Sequence, residues 1–213
     1  MMELRHLAMV NWHLFDVEDI EITGHIGVFG ENRSGKSTIL DMAQVVLTGG
    51  NRNIQRLNAV AGDKGRSRSA SKRSVVDYCL GTLGEDQRKR DQARTYICLG
   101  FADTEGKRDP VSIGMAIEAR RSESNETVLG RFVVMGKILT SDDFVMRRDG
   151  KRFPAEWDDV RTGSFRPSVL ETSSIIATRR SITSANTCAS WFLMPRWLAN
   201  RTPIRCRRRS STR

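Results

Sequence analysis

Long apolar runs are missing from this chain, and none of its hydrophobic stretches approaches the length needed to span a bilayer. The start, Met1-Met2-Glu3-Leu4-Arg5-His6, lacks the apolar core of a secretory leader. Four cysteines (Cys79, Cys98, Cys188, Cys206) are too widely spaced for a CxxC pair or a dense disulfide framework. The three histidines, His6, His13 and His25, stand among apolar neighbours and give no zinc spacing. These absences point to a soluble, cytoplasmic protein with no membrane partner.

Acid is scarce in one place only. Residues 1–160 hold 24 Lys and Arg against 24 Asp and Glu, whereas residues 161–213 hold 11 Arg, no Lys and a single acid, Glu171. The net charge of +10 therefore sits in the last quarter and implies no basic patch on the rest. That quarter also lacks any helix or strand period. It reads either as a disordered basic tail or as the product of a shifted reading frame, since it has much Arg and no Lys. The second reading is favoured by how abruptly the patterning stops. The expected organisation is a folded lobe over residues 1–160 and an irregular tail over 161–213.

Within the lobe, Glu3 to Val10 reads as a strand, and the alternation of Phe15, Val17, Ile20 and Ile22 predicts a second strand paired with it. His25-Ile26-Gly27-Val28-Phe29 is a short apolar run of the kind a buried strand has. Ile39, Leu40, Ala43, Val46 and Leu47 fall at helical spacing, and Thr48-Gly49-Gly50-Asn51 stops that helix. Residues 51–74 are polar and read as a loop. Strands are expected again at Thr95 to Phe101, Val111 to Ala119 and Gly130 to Leu139, with turns at 103–106, 122–125 and 148–151.

Gly30-Glu31-Asn32-Arg33-Ser34-Gly35-Lys36-Ser37 matches the phosphate-binding pattern G-x-x-x-x-G-K-S/T in full. The glycines let the main chain turn and approach phosphate closely. Successive N–H groups from Asn32 and Arg33 through Ser34 to Thr38 can then converge on anionic oxygens, aided by the positive end of the helix that follows. Lys36 is long enough to reach the β- and γ-phosphates. The Ser37 hydroxyl suits Mg²⁺, a hard ion that prefers oxygen, and Thr38 can bond the α-phosphate. The expected ligands are ATP and Mg²⁺. The competing reading is a glycine-rich turn with a stray lysine.

The neighbourhood of this motif resembles the N-terminal half of an SMC-like, ABC-class ATPase head, a family that includes MukB, the JetC subunit of the Wadjet plasmid-defence complex and SbcC-type repair ATPases. The matching stretches are Leu4 to Trp12, Gly27 to Thr38, Ile39-Leu40-Asp41-Met42-Ala43-Gln44, Arg56-Leu57-Asn58-Ala59, Arg73 to Gly81, and Thr95 to Phe101 followed by Asp103. The resemblance implies an α/β P-loop NTPase lobe with a mixed sheet and an antiparallel β-subdomain. It also implies ATPase activity coupled to DNA in chromosome maintenance, DNA repair or plasmid defence. In such heads the C-terminal half returns the signature motif and the catalytic carboxylate after a long coiled coil. Here no heptads follow residue 160, and no apolar run ends in Asp-Glu, so no catalytic residue is assigned and the chain is expected to be truncated. The partners implied are a C-terminal half or second head, kleisin-type subunits, and DNA through the full complex.

Other positions have two readings each. Arg52 and Arg56 could face DNA or the γ-phosphate, or be solvated loop charges. Lys64 to Arg73 could touch a nucleic-acid backbone by charge alone, or be a plain polar loop. Trp12 and Phe15 could flank adenine or belong to the core. Gln44 reads as structural rather than metal-contacting, and Asp41, at helical spacing from Ser37, as a hydrogen-bonding support of the loop rather than a catalyst. Two rivals to the ATPase-head reading remain: a small independent P-loop kinase, which the strand-rich stretch 95–139 disfavours, and a non-enzymatic fragment or head-pairing inhibitor.

Overall fold

Strand β1 (Met2–Trp12) sends Leu7 and Met9 to one side of a sheet and Ala8 and Val10 to the other, and all four are buried. Alternation of side chains along a strand produces this split, and burial of both sides makes β1 a central strand. The computed structural model describes residues 1–31, 34–57, 73–83 and 87–163, together with the backbone of Ile175–Ala177. The chain divides into Met1–Arg179 and Arg180–Arg213, and every described residue lies in the first unit.

Strand β2 (Phe15–Glu21) folds back on β1 with Val10 opposite Val17 and Trp12 opposite Phe15. On the other side of β1 lies β3 (Gln92–Asp103), followed by β4 (Val111–Arg120) and β5 (Thr127–Met135). The three residues of β8 (Ile175–Ala177) pair with the edge of β5, although the tail sequence shows no strand period. The sheet order is β2-β1-β3-β4-β5-β8.

Helix α1 (Lys36–Leu47) lays Met42, Val45 and Val46 on the face that carries Leu7, Met9, Ile97, Leu99, Met115 and Ile117. Each such side chain contributes about 1.5–3 kcal/mol on leaving water. The short helix α2 (Val75–Leu80) covers the same face with Val75, Val76, Cys79 and Leu80. It starts at a capping box in which Ser74 and Asp77 satisfy each other's backbone N–H groups. The opposite face holds Tyr96, Cys98, Ala116 and Phe132 against Phe144 and Val145, and Tyr96 stacks on Phe144 at 5.1 Å. Val145 begins the hairpin of β6 (Val145–Arg148) and β7 (Lys151–Pro154), which turns through Asp149-Gly150, both at positive φ. Trp157, at the start of α3 (Trp157–Thr162), packs against that second cluster.

Several expectations are corrected. Residues 25–29 form no strand: Ile26 and Val28 are exposed, and Phe29 is 91% exposed. An apolar strand is held by neighbours on both edges, and none of the described strands lies beside this segment. The mixed sheet is not found either, because every pairing among the described residues is antiparallel. The last strand of the meander starts at Thr127 and ends at Met135 rather than running to Leu139. Gly136, at φ 80°, turns the chain there, and the Ser112 hydroxyl then holds the next residues by donating to Lys137 O and accepting from Leu139 N. Helix α2 has no counterpart in the periodicity reading. Residues 58–72, most of the polar loop and nearly all of the basic stretch Lys64 to Arg73, lie outside the described residues.

Candidate functional site

The phosphate-loop motif stands at the head of α1, on the side of the sheet where Trp12 and Phe15 end the first hairpin. Gly35 caps α1 in the left-handed conformation (φ 94°, ψ 3°), and a Cβ there would lie 3.0 Å from Phe15 Cζ. At Gly30 a Cβ would fall 2.6 Å from Ser34 Oγ. Both glycines therefore answer to close approach, the first between loop and hairpin and the second within the loop itself. Ser34 N donates to Glu31 O at 3.3 Å, and the first helical bond runs from Ile39 N to Gly35 O at 3.2 Å.

Lys36 folds back over this bend. Its ammonium donates to Gly30 O at 2.7 Å, to Glu31 O at 2.6 Å and to Ser34 Oγ at 3.4 Å. The cation is thus collared by neutral oxygens of its own loop. Charged phosphate oxygens make stronger bonds to an ammonium than carbonyls do, so the collar marks where an anion competes for Lys36. The N–H groups of the first turn of α1 point back out of the helix towards the same place. Ser37 is exposed and Thr38 is 3% exposed on the inner side. Asn32 and Arg33 lie outside the described residues.

Trp12 is core, not an adenine platform. It is fully buried, stacks on Tyr78 at 4.7 Å and 8°, and its indole N–H donates to Thr38 O at 2.9 Å. Phe15 is half-buried beneath Gly35. Asp41, one turn after Ser37, is buried and accepts a bond from the Tyr78 hydroxyl. That bond ties α1 to α2, whereas the sequence reading has Asp41 supporting the loop. Gln44 accepts from Arg56 N and ties the following loop to α1. Arg52 grips Glu126 and Asn125, and the Arg56 guanidinium reaches the carbonyls of Asn53 and Gln55.

The site fits the phosphates of a nucleotide better than it fits a protein-held metal. A bend that leaves little room for a Cβ at Gly30 or Gly35, with an ammonium at its centre, is a cradle for anionic oxygen. For Mg²⁺ the loop offers the Ser37 hydroxyl, and no cluster of three His, Cys, Asp or Glu exists among the described residues. A magnesium ion here would be held mainly by the nucleotide's own phosphates.

Other reactive groups serve the fold. Ser141, Asp19 and His6 form a chain that periodicity cannot reveal: Ser141 Oγ donates to Asp19, and His6 Nε2 lies 2.7 Å from Asp19 Oδ1. The carboxylate sits in the middle, so no imidazole takes the serine proton, as nucleophilic catalysis needs. Burial pushes the Cys79 thiol up to about 12, and it raises Cys98 further, so neither is a thiolate at neutral pH.

The loop, its lysine collar and the helix it opens define a P-loop nucleotide-binding region. A family model described as the P-loop containing region of AAA domain matches residues 4–64, which takes in β1, β2, the loop and α1. No curated protein and no solved structure matches the chain. No helix among the described residues is long and apolar enough to cross a membrane.

Proposed function

We propose that this chain binds Mg²⁺-ATP through Gly30 to Thr38 as the phosphate-loop half of an SMC-like, ABC-class ATPase head in the cytoplasm. The observation that carries the nucleotide reading is the Lys36 ammonium held by the carbonyls of Gly30 and Glu31 at the head of α1. On binding, Lys36 exchanges those carbonyls for β- and γ-phosphate oxygens. Main-chain N–H groups of the loop and first turn, from Asn32, Arg33 and Ser34 to Thr38, take the remaining oxygens. Magnesium supplies charge neutralisation across the β- and γ-phosphates, with Ser37 as the loop's oxygen ligand.

The SMC-like assignment is supported by the motif's sequence surroundings and by the antiparallel meander β3-β4-β5, whose strands β3 and β4 carry helix α1. The meander also disfavours a small kinase, whose strands alternate with helices. The exposed run Ile26, Val28 and Phe29 leads directly into the loop, and it suits a chain whose neighbouring strands come from a partner. That partner is a C-terminal half of a head or a second head, with kleisin-type subunits and DNA engaged through the whole complex. Hydrolysis then belongs to the assembly, because Asp41, the carboxylate one turn from Ser37, is committed to Tyr78. The same two observations favour, as a second reading, a non-enzymatic product that pairs with an intact head.

Calorimetric titration of the purified chain with Mg²⁺-ATP tests the proposal, with Lys36→Ala as control. Saturable heat from the wild type that the variant loses is expected. Equal heats, or none from a chain with a cooperative melt, overturn it.

A further inference from the structure

Apolar packing sets how far α1 stands from the sheet, but it resists sliding and rotation poorly. Directional bonds fix those coordinates, and two of those made by α1 stand out beside the phosphate loop. Trp12, at the end of β1, donates its indole N–H to Thr38 O at 2.9 Å. Tyr78, on α2, donates its hydroxyl to Asp41 Oδ2. The two aromatic rings are stacked at 4.7 Å, nearly parallel, so both bonds issue from one rigid pair.

We propose that Tyr78, together with Trp12, is a positioning residue for the phosphate loop: the stacked pair clamps the first turns of α1 at Thr38 and Asp41 and so places Lys36 and Ser37 for phosphate. This rests on the nucleotide reading above. Five observations support it. Asp41 is 2% exposed, and a carboxylate so deeply buried demands partners. Tyr78 is itself anchored, since His13 N donates to Tyr78 O at 2.6 Å and α2 is fixed by its Ser74–Asp77 capping box. The Arg73 guanidinium lies 5.6 Å from the Tyr78 ring centroid, adding cation–π attraction. Burial and the Asp41 charge both raise the Tyr78 hydroxyl above its ordinary range, which keeps the donor proton on the ring. Lys36, Ser37, Thr38 and Asp41 fall within two turns of one helix, so a shift at the clamp moves the phosphate ligands with it.

The test compares wild type, Tyr78→Phe and the double variant Tyr78→Phe/Asp41→Leu, at a temperature where all are folded, by displacement of a fluorescent ATP analogue with Mg²⁺-ATP. Tyr78→Phe keeps the stack and removes only the hydroxyl. It is expected to raise the Kd for ATP about three- to tenfold, less than the full worth of a hydrogen bond to a charged group, because Tyr78 acts on phosphate only through α1. The double variant removes the buried carboxylate along with its lost Tyr78 bond and is expected to regain thermal stability without regaining affinity. Unchanged affinity in Tyr78→Phe, or recovery of affinity together with stability in the double variant, overturns the positioning role. If Tyr78→Phe does not fold, Trp12→Phe decides, since it keeps a ring but loses the donor to Thr38: weaker binding supports the clamp and equal binding refutes it. A folded wild type that binds no ATP overturns the nucleotide reading itself, which separates that failure from failure of the clamp alone.

Discussion

Arg52 and Glu126, 74 residues apart in sequence, meet side on. The guanidinium donates to both carboxylate oxygens, Nε to Oε1 at 3.0 Å, while Nη1 reaches Asn125 Oδ1 at 2.6 Å. The pair joins the loop after α1 to the turn between β4 and β5. Its carboxylate side is almost covered, at 5% exposed. Arg52→Ala therefore strands a covered charge and is expected to cost about 1–3 kcal/mol, read by urea denaturation. Arg52→Lys recovers only part, because an ammonium cannot reproduce the fork. A neutral result for Arg52→Ala would return this residue to the class of free loop charges.

Lys36→Ala removes the one ammonium at the loop's centre. ATP affinity is expected to fall at least about tenfold, since charge-assisted bonds to two phosphates vanish together. The melting temperature should move little, because the three oxygens Lys36 now touches belong to an exposed loop. Calorimetry and a thermal melt on the same samples separate the two effects.

Gly35→Ala tests the bend. Left-handed φ costs a non-glycine residue roughly 1–2 kcal/mol, and the new methyl meets Phe15 at 3.0 Å. Both stability and ATP affinity are expected to drop. Adding Phe15→Leu relieves the contact but not the backbone cost, so recovery should be partial. Full recovery would show that the left-handed geometry is dispensable.

His13 gives the fold a mild pH dependence. Its ring is held below 6.5 first by burial and then by the charges of Arg73, Arg90 and Lys89, against a raising hydrogen bond to Thr82 O. The unfolded chain thus takes up a proton at His13 before the folded chain does. Stability is fully present above pH 6.5 and falls as pH drops through the lowered folded value. His13→Gln is expected to flatten the fall of stability as pH drops below 6.5. Burial raises Asp16, but bonds and charges from Lys89 and Arg90 outweigh it and leave it lowered, so its effect appears only at more acid pH.

The parts of the fold that short-range patterning governs were legible. The first hairpin declares itself through Phe15, Val17 and Ile20, and the meander through runs broken by turn residues. Helix α1 follows from its apolar spacing and from the glycine before it. What escaped depended on distant chain or on absent neighbours. Residues 25–29 have the composition of a buried strand, but composition cannot say whether flanking strands are present. Helix α2 is six residues long, too short for a period, and its signal was the Ser74–Asp77 cap. At the site, the motif announced Gly30, Gly35 and Lys36. The Tyr78–Asp41 and Trp12–Thr38 bonds span 37 and 26 residues and exist only once the sheet has formed.

The bare Phe29 ring has a practical consequence for anyone handling this protein. A protease that cuts after large aromatic residues meets Phe29, 91% exposed, before Phe153, at 44%, and before Trp12, Tyr78 or Tyr96, which are sealed inside. A single nick there parts the first hairpin from the loop in covalent terms, while the indole of Trp12 still grips Thr38 across the break. The resulting two-piece protein should survive gel filtration yet separate under denaturant, and the rate of nicking becomes a simple readout of whatever comes to cover that ring.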